Sequence, residues 1–175
     1  MKEKAYRIIS ITSLLIIIIL ALMIFLFSSE DAKKSSDTSG KITNFVISIV
    51  YKDFDSLSDS EKLSIRSKTE HFVRKSAHFL EFFTLSFFLM VHVFSLLEYK
   101  RKKNLFSFLI VIPLGVIYAI FDEYHQFFVD GRGPMAKDVL IDSAGVLTGA
   151  LIAFILLLII KNSIIKKNNR KQEDI

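Results

Sequence analysis

Three separated stretches of this chain carry groups that can hold an anion, move a proton or ligate an ion, and all three sit in or beside apolar runs. Arg74 to Glu81 (RKSAHFLE) brings two cations, an imidazole and a carboxylate together. Asp122, Glu123 and Gln126 follow in FDEYHQFF, and Arg132, Asp138 and Asp142 in GRGPMAKDVLID. Guanidinium and ammonium groups are the usual partners of phosphate and carboxylate. Asp122 and Asp142 have the chemistry of a general acid and base, so His78, Glu81, Asp122, Glu123 and Asp142 are the catalytic candidates. Each ionised group at bilayer depth costs about 3 kcal/mol on insertion scales, so such a set is expected to face a polar cavity or a partner. The expected ligand-binding set is Arg74, Lys75, His78, Glu81, Asp122, Glu123, Gln126, Arg132, Asp138 and Asp142.

Other chemistries are weaker in these residues. His78 and Glu81 share a helix face, and with His71, His125 and the aspartates they offer metal-ligand types. The paired histidines of H-E-x-x-H are missing, however, so no metal is assigned. Ser76 and His78 stand two apart on a helix and do not face each other, which disfavours a nucleophile and base pair. There is no cysteine, hence no thiolate or disulfide, and no motif calls for a cofactor.

The elements that must position these groups are helices. Four apolar blocks are long enough to cross hydrocarbon about 30 Å thick: Ala5 to Phe27 with one charge, Arg7; Ala77 to Leu97 with Glu81; Leu105 to Phe121 with none; and Val139 to Ile160 with Asp142. Spans over about 5–27, 77–97, 105–128 and 137–160 give an all-α integral membrane four-helix bundle as one domain. The first block is longer than a secretory apolar core of roughly 7 to 15 residues and lacks an Ala-x-Ala-like site, so it reads as a retained anchor. Between the first two spans, Lys33 to Lys41 is Ser-rich and reads as a flexible turn. Ile42 to Phe54 has apolar residues at helical spacing and predicts an additional amphipathic helix in this loop. Ser58 and Glu61 have capping-box spacing, so a helix starts near Ser60 and continues into the second span, with no Gly or Pro before Pro113.

On that helix His71, Arg74, Lys75, His78 and Glu81 fall within a wedge of roughly 120°. Asp122 and Gln126 are one turn apart, with Tyr118 below them. Asp130 to Pro134 (DGRGP) predicts a turn, its glycines permitting positive φ and its proline suiting entry into a helix. Asp138, Asp142, Gly145 and Gly149 then share one stripe, and the GxxxG step lets another backbone come close. Some roles are expected to be plain packing: His92 as a hydrogen-bonded residue between helices, and most of the 17 phenylalanines against lipid or neighbouring spans. Phe127 and Phe128, next to the polar cluster, could also touch an acyl or isoprenoid chain. An alternative to a ligand pocket is a network of buried ion pairs, such as Arg132 with Asp138 and Arg74 or His78 with Glu123, that fixes how the helices meet.

The net charge of +5 follows topology rather than a nucleic-acid face. Lys2, Lys4 and Arg7 precede the first span, Lys100 to Lys103 follow the second, and Lys161, Lys166, Lys167, Arg170 and Lys171 follow the fourth. By the positive-inside rule both termini, the 98–104 loop and the 161–175 tail are cytoplasmic. The 28–76 loop carries nine Lys/Arg against eight Asp/Glu and is expected outside, with the Asp122 to Asp138 connection. All three polar segments then reach the same, outer end of the bundle.

FSSED with SSDTSG, RKSAHFLEFF, YAIFDEYHQFFVDGRG and KDVLIDSAGVLTGA together resemble the VanZ-like family of bacterial membrane proteins, from Ile24 to about Phe154. The most specific pieces are Arg74 to Glu81, Asp122 to Arg132 and Asp138 to Gly149, in that order. The chain departs from the common pattern at Glu30, where relatives have Gln, at Phe82 for Tyr, and at Asp130 for Pro. The resemblance implies a multi-pass protein of the bacterial cytoplasmic membrane, in contact with membrane lipids. The founding member is associated with resistance to teicoplanin-type lipoglycopeptides, which points to a lipoglycopeptide or a cell-wall lipid precursor as partner. Some relatives carry a phosphotransbutyrylase label, but no acyl-CoA or phosphate-cradling glycine loop is present here. A membrane-embedded hydrolase or transferase acting on lipid-linked phosphate and an accessory subunit of an envelope complex are the rival readings. Four spans without an internal repeat disfavour a transporter.

Overall fold

Hydrocarbon offers no partner to a backbone N–H or C=O, so a chain with four long apolar blocks has to satisfy those groups within each segment as helix. The computed structural model describes residues 2–100, 102–133 and 135–173. Arg101 of the basic loop and Pro134 of the expected turn lie outside the described residues. Five α-helices follow in order: α1 (Lys2–Ser28), α2 (Ala32–Val50), α3 (Asp59–Tyr99), α4 (Phe106–Gln126) and α5 (Ala136–Glu173), with one 3₁₀ turn at Phe54–Ser56. Among the described residues there is no strand. The helices α1, α3, α4 and α5 are long and apolar enough to cross a membrane. Their outward residues fit that solvent: Ile18, Ile19, Leu22 and Leu26 on α1, Leu109 and Ile117 on α4, and Leu151 and Ile155 on α5 are exposed.

The centre of the assembly is α3, which packs against all four other helices. Its start is fixed by a complete capping box: Ser58 Oγ accepts from the Glu61 N–H, and the Ser58 N–H donates to Glu61 Oε2 at 3.0 Å. It continues for 41 residues, as the lack of Gly and Pro predicts. The tightest packing is with α5. A Cβ on Gly145 would stand 2.5 Å from the Phe79 carbonyl oxygen, and one on Gly149 would strike the Phe83 carbonyl. Backbone therefore lies on backbone along the GxxxG stripe, and Ser86 Oγ donates to the Val146 carbonyl at 2.8 Å beside it. Two apolar layers close the interior. Ile24, Phe82, Leu85, Ala119 and Val146 form the one nearer the polar end, and Met90, Val93, Val111, Ala150 and Ala153 the other. His92 has its packing role: Nδ1 lies 2.8 Å from the Ser10 carbonyl oxygen and joins α3 to α1.

Two boundaries differ from the sequence reading. The Ser-rich 33–41 stretch is helical, because Asp31 caps it by accepting from the Lys34 N–H at 2.7 Å and because α3 supports it. Ser36 Oγ donates to Glu70 Oε1 at 2.6 Å, Arg66 donates to Asn44 Oδ1 at 2.7 Å, and Thr43 and Ile47 are buried. Tertiary contacts of this kind override weak intrinsic propensity. The amphipathic helix thus spans Ala32–Val50, and residues 51–53 have already left it. At the other end of the chain, α5 does not stop near Ile160 but runs through the basic tail to Glu173. No Gly or Pro follows Gly149 to interrupt it, and Lys161 forms an ion pair with Glu98 of α3.

Candidate functional site

At the end of the bundle where α1 leads into α2 and α4 into α5, side chains from α1, α3, α4 and α5 converge. Asp122, on the inward face of α4, is 2% exposed; its Oδ2 accepts from Ser28 Oγ of α1 at 2.8 Å and from Gln126 Nε2 one turn on at 3.2 Å. Asp142 is 0% exposed, held there by the glycine stripe that draws α5 onto α3. Neither of its carboxylate oxygens has a hydrogen-bond donor among the described residues. His78 of α3 faces it: Nδ1 is 4.0 Å from Asp142 Oδ1 and 4.0 Å from Glu81 Oε2, too far for a hydrogen bond to either. One donor atom from each of His78, Asp122 and Asp142 lies within 4.8 Å of the other two.

Above this floor the rim is cationic. Lys75 and Asp138 form a close ion pair across the α3–α5 junction. Arg132, half-buried in the α4–α5 connection, donates to the Ser28 carbonyl at 3.4 Å. Burial, with Arg74 close by, lowers its pKa below the ordinary guanidinium value. Arg74 itself makes no hydrogen bond or ion pair among the described residues. The connection is folded over by Gly131 at φ 73°, a left-handed value open to glycine, and clasped by Glu123 Oε1, which accepts from the Met135 N–H.

Two hollows open here. The first, about 210 Å³, is polar and lined by His71, Arg74, Lys75, His78, Gln126, Arg132 and Asp138, with Gly131, Gly133 and Met135 of the connection also on its wall. The second, about 170 Å³ and mostly apolar, lies among α1, α2 and α3 against Phe27, Ile42, Val73, Ala77 and Glu81. Arg74, His78 and Arg132 line both.

Of the ten residues singled out from sequence, six line the polar hollow: Arg74, Lys75, His78, Gln126, Arg132 and Asp138. Asp122 and Asp142 sit buried behind His78, Glu81 lines the apolar hollow, and Glu123, 4% exposed, holds the connection in place. The ion pairs imagined for a purely structural network are replaced by others: Asp138 pairs with Lys75, while Arg132 turns to the Ser28 carbonyl. Phe127 and Phe128 are exposed and line neither hollow. Sequence reasoning gave Ser28 no role, and it did not make α2 a wall of the site. A hydroxyl at the apolar edge of a span is the signal that could have found Ser28. No spacing pattern joins His78, Asp122 and Asp142, since they come from three helices.

No curated protein and no solved structure matches this chain. The sequence profile of one family, VanZ/LLP1, matches residues 13–158, which include the second and third apolar blocks, most of the first and fourth, and every residue of the site. The chain is a multi-pass, all-helical membrane protein and belongs to the VanZ/LLP1 family.

Proposed function

We propose that the polar end of the bundle binds the anionic head of a lipid-anchored cell-envelope molecule, with the lipid tail in the apolar hollow. The observation that carries this reading is the junction of the two hollows at Arg74, His78 and Arg132. A guanidinium with no carboxylate partner beside a second, half-buried one is poised for an anion, since guanidinium groups bind phosphate and carboxylate through paired N–H bonds. The apolar walls contributed by Phe27, Ile42, Val73 and Ala77 suit an acyl or isoprenoid chain. The positive-inside distribution of Lys and Arg supports a position of this end at the outer leaflet of a bacterial cytoplasmic membrane, where cell-wall lipid precursors and teicoplanin-type lipoglycopeptides are met. Drug resistance belongs to this reading as one consequence of recognising such a molecule.

The direct test is native mass spectrometry of the purified chain with a polyprenyl monophosphate and with the corresponding polyprenol. The phosphate is expected to be retained preferentially, and Arg74→Ala and Arg132→Ala are each expected to weaken its binding about tenfold or more, the worth of one charge-assisted contact. Equal retention of phosphate and alcohol would sink the reading. In cells, unchanged teicoplanin susceptibility together with unchanged lipid composition in correctly inserted Asp122→Ala and Arg132→Ala proteins would count against it. A second reading, a hydrolase or transferase acting on lipid-linked phosphate, is favoured by the imidazole and carboxylates directly behind the two arginines. Turnover of the phosphate by purified protein separates the two.

A further inference from the structure

Asp142 poses a question that the headgroup reading leaves unanswered. A carboxylate removed from water and given no donor is costly, so buried charges are paired with a cation or coordinate a metal. No side-chain ammonium or guanidinium reaches Asp142 among the described residues: Lys75 is taken by Asp138, and Arg132 donates to Ser28. The group nearest in charge is His78, whose Nδ1 is also without a hydrogen-bond partner and stands 4.0 Å from Asp142 Oδ1. Asp122 completes the triangle, with all three donor atoms within 4.8 Å of one another. It is already oriented by Ser28 and Gln126, as outer hydrogen bonds orient metal-binding carboxylates.

We propose that His78, Asp122 and Asp142 form a binding site for a divalent transition ion, Zn²⁺ in the first instance, at the floor of the polar hollow. Nitrogen and carboxylate ligands hold Zn²⁺ at about 2.0–2.2 Å, so each donor atom would have to move inward by roughly 0.7 Å, within the reach of small side-chain rotations. Three protein ligands leave a fourth position free. Because His78 also lines the polar hollow, that position faces the space beneath Arg74 and Arg132, where an oxygen of a bound anion can fill it. One imidazole and two carboxylates also suit Mn²⁺, the harder competitor. The two carboxylates come from α4 and α5 and the imidazole from α3, so the ion would tie together the three helices that meet at this end.

The full chain, purified in detergent without added lipid, is stripped with a chelator and titrated with Zn²⁺ and, separately, Mn²⁺ against a competing chromophoric chelator. One equivalent is expected to bind. Asp142→Asn and His78→Ala are expected to weaken binding by at least about 100-fold, the upper end of what loss of an outer-shell partner costs. Asp55→Asn, on the exposed 3₁₀ turn, is expected to bind as the unaltered chain does. Helical circular dichroism checks that the variants fold. If they do not, Co²⁺ on the unaltered chain decides, through a visible d–d absorption that one equivalent of Zn²⁺ abolishes. No stoichiometric binding by the unaltered chain, or equal binding by a folded His78→Ala protein, overturns the proposal. Since the titration contains no lipid, it is independent of the headgroup reading. A chain that takes Zn²⁺ but no polyprenyl phosphate sinks only the earlier proposal, and one that takes the lipid but no ion sinks only this one.

Discussion

The five carboxylates singled out from the sequence gather at one end of this protein, and each is handled differently. Asp138 is paired with Lys75, Asp122 accepts from Ser28 and Gln126, Glu123 accepts from the Met135 backbone, Glu81 borders the apolar hollow, and Asp142 is left without a donor. A purely structural network would saturate them all, and this one does not. The Lys75–Asp138 pair is the structural member of the set, with side chains only 15% and 13% exposed. Lys75→Met is expected to strand Asp138 and destabilise the fold by about 3–5 kcal/mol, whereas Lys75→Met with Asp138→Leu is expected to recover most of that loss. Unfolding in detergent by denaturant measures both. A double variant no more stable than the single one would show that the pair is not coupled. The types and order of these residues are visible in the sequence, but their partners are not. Arg132 and Asp138 look like a natural pair six residues apart, yet the turn at Gly131 points Arg132 back toward α1.

Among the elements, α3 was the most legible and α2 the least. A capping box, unbroken helix formers and then a long apolar run specify α3 locally, so its 41 residues need no tertiary information. In α2, the Ser-rich half has weak helix propensity and becomes helical through the Asp31 cap and its bonds to Glu70 and Arg66 of α3. Gly40 sits in that helix with nothing within 4 Å of an added Cβ. Gly40→Ala is therefore expected to raise stability by about 0.5–1 kcal/mol, the usual helix-interior difference. Gly149→Val is expected to act in the opposite sense, since its side chain would meet the Phe83 backbone, which cannot rotate away. A loss of at least about 1–3 kcal/mol follows from overpacking, together with separation of α5 from α3. Thermal melts of the two variants side by side check both signs, and a neutral Gly149→Val would remove the close helix contact from the account.

At the scale of the whole molecule, the polar residues reach one compartment because four crossings bring the 28–76 loop and the α4–α5 connection to the same end. The positive-inside rule predicts from the charge distribution that this end faces outward. Alkaline phosphatase fused in the Gly131 connection is expected to be active in a bacterial host, and a fluorescent protein fused after Glu173 is expected to fold and fluoresce in the cytoplasm. The reverse pattern would place the site on the cytoplasmic side and remove envelope lipids of the outer leaflet from consideration. The molecule also shows why its surface is so apolar: α1, α4 and α5 turn isoleucine and leucine outward, toward lipid, and keep small or polar residues such as Ser13, Ser107 and Ala153 inside. Without a hydrophobic drive between helices in lipid, close packing and hydrogen bonds hold the bundle, and the glycine stripe with Ser86 and Tyr118 supplies both.

What the sequence determined by itself is whatever depends on local composition and period: four crossings, the capped start of α3, the polar wedge on it, the glycine stripe of α5 and membership of a membrane family. These follow from hydrophobicity and backbone geometry over a few turns of chain. What only the tertiary structure decided is which groups touch. The packing of α5 on α3 buries Asp142 opposite His78, and the return of α1 beside α4 gives Asp122 its serine, because contacts between helices are set by rotation and depth rather than by spacing along any one of them.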